Sequence, residues 1–75
     1  MNEYRIDFLW DNEATVWVAT SDDVPGLVLE HGSFDALIER VKIAIPELLE
    51  LNGGYSQSIS LSYFAQRNDK VGYGG

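Results

Sequence analysis

The stretch SFDALIERVKIAIPELLELNG, residues 33–53, decides the architecture of this chain. Counted by 3.6 from Phe34, the residues Leu37, Ile38, Val41, Ala44, Ile45, Leu48 and Leu49 fall on one side. Asp35, Glu39, Lys42 and Glu50 fall on the other, which is the signature of an amphipathic helix. Ser33 is placed as N-cap, where its hydroxyl accepts from a first-turn amide that has no partner within the helix. Asn52 and Gly53 supply the stop, because glycine enters the left-handed region without a side-chain clash. About 18 helical residues span roughly 27 Å, enough to cross several strands. Pro46 lies inside this pattern, and its missing N–H and ring predict either a kink near residues 42–45 or a second short helix opening at Pro46. Glu47 and Glu50 sit in the last turn, where the helix dipole favours cations, so the arrangement invites a basic neighbour.

Seventy-five residues make one domain with a single small core. Cysteine is absent and His31 is the lone histidine, which removes disulfides and the multi-ligand structural zinc sites that often support small domains. A partner subunit is the support left open. The net charge of −7 and a pI near 4.3 repel phosphate backbones, which argues against direct nucleic-acid binding and suits a basic partner or simple solubility. No apolar run reaches the roughly 20 residues of a membrane span, and the opening MNEYRIDF lacks the layout of a signal peptide. A cytoplasmic location is expected.

Upstream of the helix, Tyr4, Ile6, Phe8 and Trp10 alternate with Arg5, Asp7 and Leu9, the period of a strand with one buried face. A polar turn at residues 11–13 leads to a second strand over 15–21, the return arm of a hairpin. A two- or four-residue loop sets Trp17 opposite Phe8 and Ala19 opposite Ile6, the favoured register; a three-residue loop would turn Val16 and Val18 inward instead. Pro25 and Gly26 suit the two central positions of a type II turn, and Leu27 to His31 form a third strand. After the helix, Ile59, Leu61, Tyr63 and Ala65 alternate with Ser60, Ser62 and Phe64 as a fourth strand. Residues 1–65 are therefore expected as one α+β domain of order β-β-β-α-β: two layers, an antiparallel-dominated sheet with one helix on one face. Residues 66–75 form a polar, glycine-rich tail expected to be mobile or to order only on a partner.

The second strand is apolar on both faces. If the helix covers Trp17 and Ala19, then Val16 and Val18 remain outside, with Leu9 and Val28 beside them. A contiguous apolar patch of this kind marks an interface, so a homodimer or higher oligomer is expected through Leu9, Val16, Val18 and Val28. Ile43 points away from the helix stripe and is a further candidate contact.

Signals for chemistry are weaker. Asp22 and Asp23, with Asp7 and Asp11 as candidate neighbours, are the best case for a divalent cation or an acid–base pair. Adjacent strand residues point to opposite faces, however, and an acidic turn before Pro25-Gly26 explains both without a ligand. His31 has no nucleophile beside it and reads more simply as a surface residue. The glycines at 72, 74 and 75 follow no strand and open no helix, so they are no phosphate loop. No catalytic residue, cofactor or metal site is assigned.

The stretch VATSDDVPGL (residues 18–27), followed by the 33–52 helix ending IPELLELN, resembles the HicB-like antitoxin superfamily, and within it a group of short stand-alone proteins of unassigned function. The resemblance covers residues 4–65. It implies a partial ribonuclease H-like fold and a domain that binds and occludes a small basic messenger-RNA-cleaving toxin. Members carry a separate C-terminal DNA-binding segment, for which the ten residues after the last strand are too few, so DNA-binding autorepression is not expected here.

Together these observations point to a non-catalytic protein-interaction domain, antitoxin-like, that neutralises a small basic partner. Two rival readings remain: a divalent-metal-dependent nuclease or hydrolase using Asp7, Asp22 and Asp23, and a small-molecule sensor with a pocket near Trp17, Tyr63 and the helix kink.

Overall fold

The computed structural model describes residues 2–54, 58–72 and 74. Five elements follow in the order β1 (Asn2–Asp11), β2 (Val16–Thr20), β3 (Val28–His31), α1 (Phe34–Leu51) and β4 (Ile59–Gln66). The sheet order is β3-β2-β1-β4. β2 runs antiparallel to both β1 and β3, whereas β4 is parallel to β1. The fold is thus the expected two-layer α+β sandwich. The helix is a crossover that carries the chain from one edge of the sheet to the other, as joining parallel strands requires.

The helix forms where its stripe predicts. Leu37, Val41, Ile45 and Leu49 are buried, while Phe34, Ile38, Ala44 and Leu48 flank them half-buried. Ser33 Oγ accepts from the Ala36 amide at 3.2 Å, the N-cap bond. At the far end Gly53 N–H donates to the Glu50 carbonyl (3.3 Å) and Gly54 N–H to the Leu49 carbonyl (2.7 Å). With Gly53 at φ 115°, this is a Schellman stop. The helix runs unbroken through Pro46, so no second helix opens there. The turns on either side are held by the buried side chains of Ile45 and Leu49, which offset the lost backbone bond.

Beneath the helix, Ile6 and Phe8 of β1, Ala19 of β2, and Val24 and Leu27 of the β2–β3 connection complete the core. Five aromatic rings close its hairpin end. Tyr63 meets Phe8 at 5.6 Å, Phe8 meets Phe34 at 4.9 Å, Phe34 meets Trp17 at 5.0 Å, and Trp17 meets Trp10 at 5.4 Å.

The hairpin register departs from the favoured one by two residues. Ala19 lies opposite Phe8 and Trp17 opposite Trp10. A shift of two keeps every side chain on its face, so Trp17 and Ala19 point toward the helix as expected while their partners change. The cause is the place of the loop: its four residues are 12–15 rather than 11–14, and the Asp11 carboxylate, at the end of β1, tightens it there. Its Oδ1 accepts from the Glu13 amide (2.9 Å) and the Ala14 amide (3.2 Å), and Thr15 takes up the left-handed conformation at φ 54°.

Past β4, Arg67 and Asn68 lie against the hairpin. The Arg67 guanidinium sits 4.0 Å over the Trp10 ring, and Asn12 Nδ2 donates to the Asn68 carbonyl at 3.4 Å. Tyr73 and Gly75 of the sequence-defined tail lie outside the described residues.

Candidate functional site

The face of the sheet turned away from α1 is the candidate site. Alternation in β1 sends Ile6 and Phe8 inward and therefore Arg5, Asp7 and Leu9 outward. The register then sets Leu9 beside Val18, Thr20 beside Val28, and Phe64 beside Asp7. Phe64, Leu9, Val18 and Val28 form an arched apolar ridge, one residue on each strand: Leu9 and Val18 lie directly opposite at its crown, Phe64 and Val28 lie at the level of Asp7 on the two edge strands, and Val16 is at the hairpin end. Leu9 is 55% exposed, Val28 69% and Phe64 48%, a concentration of aliphatic and aromatic surface that no second layer covers among the described residues. Two shallow hollows flank Leu9. One, of about 430 Å³, lies toward Asp11, Glu13 and Val18; the other, of about 450 Å³, lies toward Phe64 and Gln66. Both are open to solvent, a shape for a side chain from a partner rather than for an enclosed small molecule.

The rim is acidic. Glu3, Asp7 and Asp11 of β1 share this face with Glu30 of β3, and Glu13 lines the hollow beside Leu9. Arg5 is the cation on the face among the described residues. Its Nε donates to Asp7 Oδ1 at 2.9 Å, and its guanidinium lies 3.9 Å over the Phe64 ring. That stacking keeps Phe64 pressed onto the sheet while the charge is compensated by Asp7. The pair is solvent-exposed, so it orders the surface more than it stabilises the fold.

The Asp22-Asp23-Val24-Pro25-Gly26 segment is a structural device. Ser21 Oγ accepts from the Asp23 amide (3.0 Å) and the Val24 amide (3.2 Å), and donates to the Arg5 carbonyl (2.6 Å). Asp23 Oδ2 accepts from the Arg5 amide at 2.8 Å. β2 ends at Thr20, and these two side chains continue its ladder by satisfying the backbone of Arg5. Leu27 N–H donates to the Val24 carbonyl at 3.2 Å across Pro25 and Gly26, with Gly26 at φ 88°, the expected type II turn. Asn52 Nδ2 donates to the Pro25 carbonyl, which ties the turn to the end of α1. Asp22 is exposed.

The three carboxylates weighed for metal chemistry therefore hold different positions: Asp7 with the Arg5 side chain, Asp23 with the Arg5 backbone, Asp22 in solvent. Among the described residues no group of three or more His, Asp or Glu side chains could hold a metal ion. His31 Nδ1 accepts from the Ser33 amide at 2.8 Å, which places the ring at the entry to α1. Trp17 and Tyr63, suggested as pocket walls, instead pack edge-on against Phe34 and Phe8 on the helix side. Burial pushes the Tyr63 phenol above its ordinary 10.0; the Lys42 ammonium pulls it back and the Glu39 carboxylate adds to the rise.

Of the expected contact residues, Leu9, Val16, Val18 and Val28 share the open face. Ile43 does not join them. It projects 67% exposed from α1 on the other layer, near Leu29 of β3. Phe64 and Arg5 are the residues of the face that strand periodicity alone does not bring together, because their meeting depends on β4 lying parallel beside β1. The one signal was a lone aromatic on an otherwise serine-bearing strand face.

A family model described as "Domain of unknown function (DUF1902)" matches residues 3–71. The crystal structure of the hypothetical protein TTHA1013, from the extremely thermophilic bacterium Thermus thermophilus, is similar over 93% of this chain and 100% of its own. Identity is 39% and the TM-score is 0.80. Among curated proteins there is no match.

Proposed function

The chain belongs to the family of the domain of unknown function DUF1902, and from its open, acid-rimmed apolar face we propose that it is a non-catalytic protein-interaction domain of the HicB-like antitoxin kind. The occupant of the face is a small basic protein, such as an mRNA-cleaving toxin. The observation that carries this reading is the ridge Phe64–Leu9–Val18–Val28, one residue on each strand with all but the half-buried Val18 exposed, edged by Glu3, Asp11, Glu13 and Glu30. An apolar centre gives affinity once desolvated, and a rim of one sign steers a partner of the other. The net charge of −7 acts in the same direction at longer range. No helix among the described residues is long and apolar enough to cross a membrane, and a cytoplasmic location goes with this reading.

The test is genetic and biochemical at once. The product of the adjacent reading frame is expressed alone and together with this chain. A short basic product that arrests growth alone, is tolerated with this chain and co-purifies with it supports the proposal. A neighbour that is neither basic nor toxic and does not co-purify removes the antitoxin role.

A further inference from the structure

A second surface lies at the β3 edge. β3 is a four-residue strand without proline, and among the described residues its far side has no strand neighbour in the sheet. Such an edge offers unpaired backbone donors and acceptors to another strand. α1 covers Ile6 and Phe8 of β1 and also lies close along β2 and β3, so the helix reaches this edge. There Leu29, Ile43 and Ala44 line an apolar groove between strand and helix, with Arg40 at one end and Glu47 at the other. Ile43 is 67% exposed, and neither Arg40 nor Glu47 has an ion-pair partner among the described residues.

These residues follow one helical stripe at spacings of three and four, so they share a face. Arg40 and Glu47 are equidistant from the midpoint between Ile43 and Ala44, and they carry opposite charge. A two-fold axis through that midpoint places Arg40 of each copy against Glu47 of the other and Ile43 against Ala44. Leu29, near the middle of β3, lies beside the same midpoint, so one axis serves the strand and the helix together. We infer that the β3 edge with the Arg40–Glu47 stripe is a self-association surface that takes a second copy of this chain in antiparallel, two-fold fashion.

The pattern is self-complementary, as a two-fold contact requires. A foreign partner would need no such symmetry about the Ile43–Ala44 midpoint. Pairing β3 with its copy joins two four-stranded sheets into one of eight strands. The open face stays free on both copies, and the inference stands without the toxin-binding reading. Four strand residues and one helix stripe make a small contact, so the association is expected to be weak and reversible.

The test is sedimentation of the full chain over a concentration series reaching high micromolar, with circular dichroism confirming the fold of each variant. The wild type is expected to dimerise. Arg40→Glu and Glu47→Arg each set like charges across the axis and are expected to weaken the dimer at least tenfold. The double exchange R40E/E47R restores opposite charges and is expected to recover most of the affinity. A monomer at every concentration would overturn the inference, as would a dimer that both single variants leave intact. A dimer lost in Val18→Lys and kept in Arg40→Glu would also overturn it and assign self-association to the open face.

Discussion

The Asp23 carboxylate accepts the backbone amide of Arg5 at 2.8 Å, so a side chain takes the place that the next residue of β2 would hold. Eighteen residues apart in sequence, the two join the β2–β3 turn to the middle of the sheet. The same turn delivers Val24 and Leu27, both buried, to the core. The most suggestive carboxylate in the sequence is thus accounted for by folding.

Asp23→Ala leaves that amide without its partner and loosens the turn. The expected cost is about 1 kcal/mol, a fall in Tm of about 4–8 °C for a domain of this size. Asp23→Asn keeps an accepting oxygen and is expected to lose less. Thermal melts measure both. A structural Asp23 also implies that added magnesium leaves the wild-type Tm unchanged; a metal-dependent rise that Asp23→Ala abolishes would restore the metal reading.

Thr15 is a β-branched residue at φ 54°, a conformation such side chains rarely take. Thr15→Gly or Thr15→Asn removes the clash, at the loss of an exposed hydroxyl bond to the Ala14 carbonyl. Either is expected to raise stability by about 0.5–1 kcal/mol, read as a higher denaturation midpoint at unchanged slope. An unchanged or lower midpoint would show that the loop holds no strain to release.

Tyr63 gives an alkaline signature. Its phenol titrates above 10.0 in the folded chain, raised by burial. As pH passes the unfolded value, the unfolded state releases its proton first and binds fewer protons than the folded state, so stability falls with rising pH. Below that pH the contribution is fully present. Tyr63→Phe removes this component, and its stability is expected to decline less steeply than that of wild type above about pH 10. Matched denaturant titrations from neutral to alkaline pH measure the difference; parallel curves would contradict the assignment.

The helix and the faces of the strands are legible in the sequence because both are set locally. Ser33 caps, Gly53 stops, and the 3.6 stripe of residues 34–49 selects its own buried side. The β1–β2 register is legible only to the nearest two residues, since parity fixes the face but Asp11 and the left-handed Thr15 fix the loop. The place of β4 is not legible. Where a crossover helix sets down the next strand depends on the width of the sheet beneath it, and no pattern within residues 59–66 encodes that the neighbour is β1. For the same reason Arg5, Asp7 and Phe64 read as scattered residues until parallel pairing gathers them beside Leu9. Ile43 shows the converse: it has the exposure of an interface residue, yet it belongs to another surface than Val18.

The open face makes a demand on variants that a structural role would not. Leu9 and Val18 face away from the core, so Leu9→Lys and Val18→Lys are expected to change stability by no more than about 0.5 kcal/mol. Each is expected to weaken a partner seated on the ridge at least tenfold, since central apolar contacts dominate binding. Melting curves and titration calorimetry separate the two effects.

The most direct measurement is a methyl and amide NMR titration of this chain with the purified product of its adjacent reading frame. Binding on the ridge predicts saturable shifts concentrated at Leu9, Val16, Val18, Val28 and Phe64, with the amides of α1 unmoved. Shifts centred on α1 with the ridge silent, or no shifts at high micromolar concentration, would contradict it.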